Sequence, residues 1–414
     1  MASGPRLSHL AGLDGLRALA IAAVFVYHAA PAAAPGGFLG VSLFFTVSGY
    51  LIGSLLLAEV EGTGRVDLGR FWARRGRRLL PALLLTLAAV TLLATRLPVP
   101  SGFRGEALAA LGYVANWHAV WAGLDYADLF ATPSPVAHLW SLAIEEQFYL
   151  VFPVLVAAVV ARGGSPRSRL AALAAAGCAA SLAAQLFTDD RALGYYGTHV
   201  RAAELCAGVL LATSCRPGTR VGGRWRAAVT LAGAAGLAAT TALVLAVDLG
   251  DGWLYQGGFT ALGGLWAVLV LACAASPLSV VLGWGPLAAV GRVSYGLYLA
   301  HWPVIVWLDE QRTGVDGFEL FLLQAFVTAG VAALSYHLLE QPVRERRIPR
   351  RPAQALPALG VAFGVAFAVV AAAPAATRHN PLAIEAASGP VAFPVPTSLP
   401  LAPGTLPPAA PDAP

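Results

Sequence analysis

The sequence predicts an all-α fold, a polytopic transmembrane bundle of about ten core spans with one additional span near the C-terminus. Three observations predict it. Of the 414 residues, 57% are hydrophobic and only 12% are charged, where a soluble globular domain carries about a quarter charged residues. Apolar stretches long enough to cross a bilayer recur along the whole chain. Arginines crowd some connections and avoid others, as expected of a chain threaded through a membrane.

In order, the spans fall at about 13–33, 38–58, 79–97, 138–161, 169–187, 200–215, 227–247, 257–275, 289–308, 318–339 and 354–376. The chain has no lysine. Arg65, Arg70, Arg74, Arg75, Arg77 and Arg78 follow the second span. Arg162, Arg167 and Arg169 follow the fourth, Arg216, Arg220, Arg224 and Arg226 the sixth, and Arg344, Arg346, Arg347, Arg350 and Arg351 the tenth. The acidic connections, Asp248/Asp251 and Asp309/Glu310, follow odd spans. One topology satisfies this alternation: N-terminus inside, C-terminus outside, basic loops inside. The stretch 103–124 reads as an outer-face amphipathic or re-entrant segment, because counting it as a span would put the 162–169 arginines outside. Three parts result: a transmembrane domain over 1–346, an additional helix within 347–376, and a Pro/Ala-rich outer tail over 377–414 that reads as disordered linker. Cys178, Cys206, Cys215 and Cys273 show no disulfide or zinc spacing, and no metal is expected.

The first span carries the most informative pair. Arg17 and His28 lie eleven residues apart. That is roughly three helical turns, so both side chains share one face, on the order of 16 Å apart. Ionisable groups within a span read as functional. An anion-binding arginine and an acid–base histidine on one stripe imply a long substrate reaching across the bilayer. A signal peptide is a competing reading, but Asp14 and Arg17 fall where its apolar core should be uncharged. A snorkelling arginine with a satisfied core histidine is another.

Further spans carry polar stripes. Ser48-Gly49 in the second allows close helix contact, and Ser48 as a nucleophile would need an adjacent base. In the loop Phe71–Pro81, four arginines, Arg74, Arg75, Arg77 and Arg78, lie within five residues. Their forked guanidiniums suit phosphate oxygens, although anchoring to anionic lipid would also use them. His138, Ser141, Glu145 and Tyr149 form one stripe at helical steps, with Glu146 beside it; an interfacial collar is the simpler account. Ser294, Tyr298 and His301 share a face ahead of Pro303.

The Arg17-to-His28 helix, Phe45…Ser48-Gly49, the arginine-rich Phe71–Pro81 segment, His138…Glu145-Glu146-Gln147-Phe148-Tyr149, Ser294-Tyr295…Tyr298…His301 and Glu340…Pro342 follow one another in a specific order. That ordered set resembles the acyltransferase-3 family of membrane O-acyltransferases, over roughly residues 9–346. The eleventh span and the tail resemble members that carry a further extracytoplasmic SGNH domain, before which this chain stops. The resemblance implies an enzyme of the bacterial cell membrane that O-acetylates cell-surface glycan or glycolipid. The implied donor is cytoplasmic acyl-CoA, acetyl-CoA above all, used as a substrate with no tightly bound cofactor, and no nucleic acid is an expected partner. Catalytic roles fall to His28, as general base or transient acyl carrier, and to Glu145. Donor binding falls to Arg17, Arg74, Arg75, Arg77 and Arg78. Asp14, Ser48, His138, Ser141, Tyr149, Tyr298 and His301 are the expected substrate-binding residues, with Tyr298 and His301 stabilising an oxyanion. A glycan or lipid transporter is the rival from another class. A non-catalytic membrane scaffold, in which His28 would be dispensable, is a third.

Overall fold

The computed structural model describes residues 10–123, 133–219, 221–345 and 355–373. Among them eight helices are long and apolar enough to cross a membrane, and no strand occurs. The tail beyond 373 and the arginines at 346–351 lie outside the described residues.

Three helices open the chain: α1 (Ala11–Ala29), α2 (Leu39–Thr63) and α3 (Leu68–Leu93). The third starts eleven residues earlier than the expected span, so Arg70 to Arg78 are helical and not in a loop. Asp67 explains the early start: its carboxylate accepts from the Arg70 backbone N–H at 2.9 Å and caps the helix. Arginine is itself a good helix former. Pro81 sits inside α3, where membrane helices tolerate it.

The expected re-entrant stretch forms two short helices, α4 (Phe103–Leu111) and α5 (Ala115–Trp121). Neither is long enough to span. Between them Tyr113 holds a left-handed backbone, φ 54°, a conformation costly for a residue with a bulky side chain. Gln147 fixes it by donating to the Tyr113 carbonyl at 2.7 Å and to Asn116 at 2.9 Å. Gln147 in turn accepts from Trp117 and Thr198.

Next come α6 (Trp140–Val160), α7 (Pro166–Leu186), α8 (Arg191–Tyr196), α9 (Thr198–Ser214), α10 (Gly223–Ala246) and α11 (Phe259–Ala275). After them stand α12 (Leu278–Leu282), α13 (Gly285–Arg292) and α14 (Ser294–Trp307). The expected ninth span is therefore broken at Val293. The chain continues through α15 (Glu310–Thr313), α16 (Gly317–Ser335), a π-turn at Tyr336–Glu340 and α17 (Gln341–Arg344). Last is α18 (Ala355–Ala371), whose Ala366 and Val370 join an apolar cluster with Leu83 and Leu87 of α3 and Phe103 of α4. With 17, 14 and 17 residues, α9, α14 and α18 are shorter than the eight spanning helices.

The second helix is the structural centre. It packs against α1, α6, α9 and α11. Contact with α9 is backbone to backbone: a Cβ at Gly49 would stand 1.9 Å from the Leu205 carbonyl oxygen, and one at Gly208 2.1 Å from that of Thr46. Small residues permit this approach where no hydrophobic effect drives helices together. Peripheral helices such as α10 expose Leu231 and Leu245, as a lipid-facing surface requires.

Arg201 and Glu204 of α9 are buried beside this contact. Arg201 Nε and Nη2 donate to the two Glu204 carboxylate oxygens at 2.7 and 3.2 Å. Its remaining N–H groups reach Ser42 Oγ at 2.9 Å and the Tyr195 carbonyl at 3.1 Å, and the guanidinium lies 3.9 Å from the Phe259 ring centroid. One residue thus ties α2, α8, α9 and α11 together. At one end of the bundle Glu61 pairs with Arg167 and Arg216 at 3.3 and 2.5 Å, and Glu59 pairs with Arg74 at 3.2 Å. The arginine-bearing connections after α2, α6 and α9 therefore meet at one end.

Glu204→Gln leaves a buried guanidinium without its counter-charge. It should lower stability by about 3–5 kcal/mol, measured as resistance to thermal or SDS unfolding in detergent. The Arg201→Met/Glu204→Leu pair should cost less than the sum of the two single changes. Strictly additive losses would show that the two side chains do not act as a unit.

Candidate active site

Beside α2 lies a cavity of about 730 Å³, its open mouth included, within the size range of ligand sites. One part of its wall is cationic: Arg17 from α1 with Arg75 and Arg78 from α3. Residues three apart share a helix face, which is why Arg75 and Arg78 arrive together. Arg74 faces elsewhere, to Glu59, and Arg77 is not on the wall. The arginine run is thus divided by helical periodicity: the structure brings Arg17, Arg75 and Arg78 together and leaves Arg74 and Arg77 out.

Next to it stands the polar stripe of α6. Glu145 accepts from Ser48 Oγ of α2 and from the Tyr149 hydroxyl at 2.6 Å. The Tyr149 ring carries the Arg75 guanidinium 4.9 Å from its centroid, and Trp72 Nε1 donates to the Tyr149 carbonyl at 3.1 Å. Ser48 therefore has the adjacent carboxylate that the sequence alone does not show. Glu145 meets no histidine among these partners; it organises the cationic wall. The broken ninth span supplies Ser294, Tyr295 and Tyr298 to the same cavity. Ser294 is the first residue of α14, so the positive end of that helix dipole also faces it.

Tyr298 closes the cavity. Its hydroxyl donates to the His138 carbonyl at 2.7 Å. A phenol has one proton, and a carbonyl only accepts. The 2.6 Å contact with Ser141 Oγ is therefore donated by Ser141. Behind Tyr298 lie three buried histidines. His301 Nδ1 stands 2.6 Å from the Tyr298 carbonyl and must carry its proton there. Neutral His301 then accepts at Nε2, so the 3.1 Å contact with His28 Nδ1 is donated by His28. The tautomer of neutral His28 follows: Nδ1 holds the proton and Nε2 the basic lone pair. Trp302 packs on the His28 ring at 4.7 Å and fixes its plane. His138 packs on Tyr298 and His301 at 5.4 and 5.3 Å, and neither of its ring nitrogens has a hydrogen-bond partner. Beyond them, His301 also borders an apolar cavity of about 410 Å³ with Phe25, Leu297 and Thr328.

This bonding qualifies two expectations. Tyr298 and His301 have both placed their donor protons on carbonyls, so neither offers one to an oxyanion in this arrangement. Asp14 is buried where α13 crosses α1, its carbonyl against Gly291, and it is not on the cavity wall. Sequence reasoning missed the Arg201–Glu204 pair, although two opposite charges three residues apart within a span are a readable signal. It also missed Gln147 and its partners, and the link from His301 to His28, which only tertiary packing creates.

Comparison with known proteins points to the same family. The acyltransferase domain family matches residues 10–377. The O-acetyltransferase OatA of Staphylococcus aureus is 35% identical over 351 residues, 82% of this chain and 58% of that protein. The peptidoglycan O-acetyltransferase OatA of Listeria monocytogenes is 34% identical over 349 residues, 81% of this chain and 56% of its own length. The chain thus spans little more than half the length of these relatives. No solved structure matches it. The helical bundle, the ordered polar motifs and the near-complete match identify the chain as a member of the acyltransferase-3 family.

Proposed function

We propose that this protein transfers an acetyl group from cytoplasmic acetyl-CoA to a hydroxyl of an extracytoplasmic glycan, with His28 as general base. The names of its relatives point to peptidoglycan as the acceptor. The observation that carries the reading is the arrangement along α1. Arg17 borders a guanidinium-lined cavity, and His28, roughly three turns on and on the order of 16 Å away, ends a histidine relay. A donor with phosphates at one end and a thioester at the other fits that spacing.

His28 Nε2 takes the acceptor hydroxyl proton as the oxygen attacks the thioester carbonyl. The C–S bond breaks as the C–O ester bond forms, and His28 returns the proton to the departing thiolate. His301 holds His28 in the tautomer this needs. A thioester arriving from the cavity must displace the Tyr298 phenol. Leaving the His138 carbonyl frees the Tyr298 O–H to donate to the developing oxyanion. Glu145 acts as a positioning residue, holding Ser48 and Tyr149 and through them Arg75. In this reading the basic connections face the cytoplasm, the N-terminus is inside and the C-terminus outside.

His28→Ala should lower kcat for acetyl transfer by about 10²–10⁴ in protein that still inserts and elutes as a single species. Glu145→Gln should instead raise KM for acetyl-CoA more than it lowers kcat. Full activity in His28→Ala would overturn the mechanism.

Sidedness has its own measurement. In oriented, leak-tested proteoliposomes, acetyl-CoA supplied on the side of Glu61 and Arg167, with acceptor on the other, should give product. The swapped arrangement should not. Equal yields from both would overturn the through-membrane route.

A further inference from the structure

A second cavity, of about 350 Å³, shares Arg17, Arg78 and Tyr295 with the first. The new wall is Arg292, Tyr336, Glu340 and Arg344, none of them among the expected donor-binding residues. Local breaks in helical geometry put them there. The interruption at Val293 ends α13 on Arg292. The π-turn at Tyr336–Glu340 opens the last turns of the α16 segment, a feature frequent at functional sites. Arg344 follows in α17, with its guanidinium carbon 5.9 Å from the Tyr336 ring centroid. Arg17 and Arg78 are half-buried, whereas Arg292 and Arg344 are exposed. Among the described residues, none of these four guanidiniums forms an ion pair within 4.0 Å. The one carboxylate on this wall, Glu340, accepts from Ser335 at 3.2 Å.

Four guanidiniums against one carboxylate, at the mouth of a cavity entering a membrane protein, call for a polyanion. The charge is divided in two: an inner pair, Arg17 and Arg78, common to both cavities, and an outer pair, Arg292 and Arg344, belonging to the mouth alone. We propose that the outer pair binds a second phosphate group, separate from the pyrophosphate that the inner pair takes, and that the mouth is specific for a nucleotide phosphorylated on its ribose. Resting on the reading that acyl-CoA is the donor, this assigns Arg292 and Arg344 to the ribose 3′-phosphate. They are binding and specificity residues and make no contact with the reacting atoms.

The test compares acetyl-CoA with acetyl-dephospho-CoA, which lacks only that phosphate, by release of free thiol from purified full chain in phosphatidylcholine nanodiscs. Charge-assisted hydrogen bonds of this kind are worth about ten- to a hundredfold. The unmodified protein should show a KM for acetyl-CoA lower by about that factor. In Arg292→Gln/Arg344→Gln the ratio of the two KM values should fall toward one, with kcat for acetyl-CoA reduced far less than KM is raised. Arg344→Lys should restore part of the ratio. An unaltered ratio would overturn the proposal.

A binding measurement separates this from the donor reading. Adenosine 3′,5′-bisphosphate should bind more tightly than adenosine 5′-monophosphate, and the double variant should lose the difference. Should neither thioester be turned over, the donor reading falls and this comparison alone decides the cradle, equal affinities overturning it. Should phosphatidylglycerol in the nanodiscs abolish the difference by occupying the arginines, the mouth is a lipid headgroup site and the proposal is likewise overturned.

Discussion

A guanidinium taken out of water has to be neutralised or given a new polar shell, and that constraint divides this structure into scaffold and site. Arg201 meets it internally: Glu204 supplies the charge, and Ser42 and the Tyr195 carbonyl accept the remaining N–H groups. It binds four helices where α2 and α9 touch backbone to backbone. Arg17, Arg75 and Arg78 do not meet it the same way. They face a cavity, and the carboxylate on its wall, Glu145, is engaged with Ser48 and Tyr149. One set of charges is closed and fixes the fold; the other lines an open cavity, where the proposed donor supplies the anion.

The same logic governs protons around the histidines. Two carbonyls, those of Tyr298 and His138, set the donor directions along the contacts from Tyr298 and His301 to His28. The first forces a proton onto His301 Nδ1, which turns His301 Nε2 into an acceptor, which in turn forces the proton of His28 onto Nδ1. The second consumes the only proton of Tyr298. A histidine held in one tautomer by another group is the arrangement general-base chemistry requires. In the proposed mechanism a second histidine and a backbone carbonyl do what a carboxylate does elsewhere. No buried negative charge is then needed next to His28, in surroundings where such a charge would be expensive.

The sequence disclosed those parts of the site that depend on one helix. Arg17 and His28 could be placed on a common face from the 3.6-residue period, and His138, Ser141, Glu145 and Tyr149 likewise. What it hid depends on where a helix begins or on what packs against it. Reading residues 71–81 as a loop gave four equivalent arginines, because a loop has no faces. Once Asp67 starts α3 at Leu68, the same run splits, with Arg75 and Arg78 on the cavity and Arg74 on Glu59. The break at Val293 falls between Gly291-Arg292 and Ser294, where α13 comes against α1 at Asp14, and the helical period alone carried the expected span straight through it. Arg292 and Arg344 lie about fifty positions apart in the sequence, and no local pattern joins them.

In the proposed mechanism the helix that carries the first motif also acts as a ruler. Arg17 and His28 are fixed to one rigid segment, so the distance between phosphate and reacting carbonyl does not depend on how the other helices settle. A donor much shorter than that distance could bind the arginines or reach His28, but not both. Uncoupling the two ends would forfeit the orientation that makes an intramolecular-like transfer fast. On the proposed reading, length discrimination belongs to α1 alone, whereas charge discrimination belongs to helices that meet only in the folded bundle. The two kinds of selectivity are built at different levels of structure, and mutations in the surrounding scaffold should disturb the second more readily than the first.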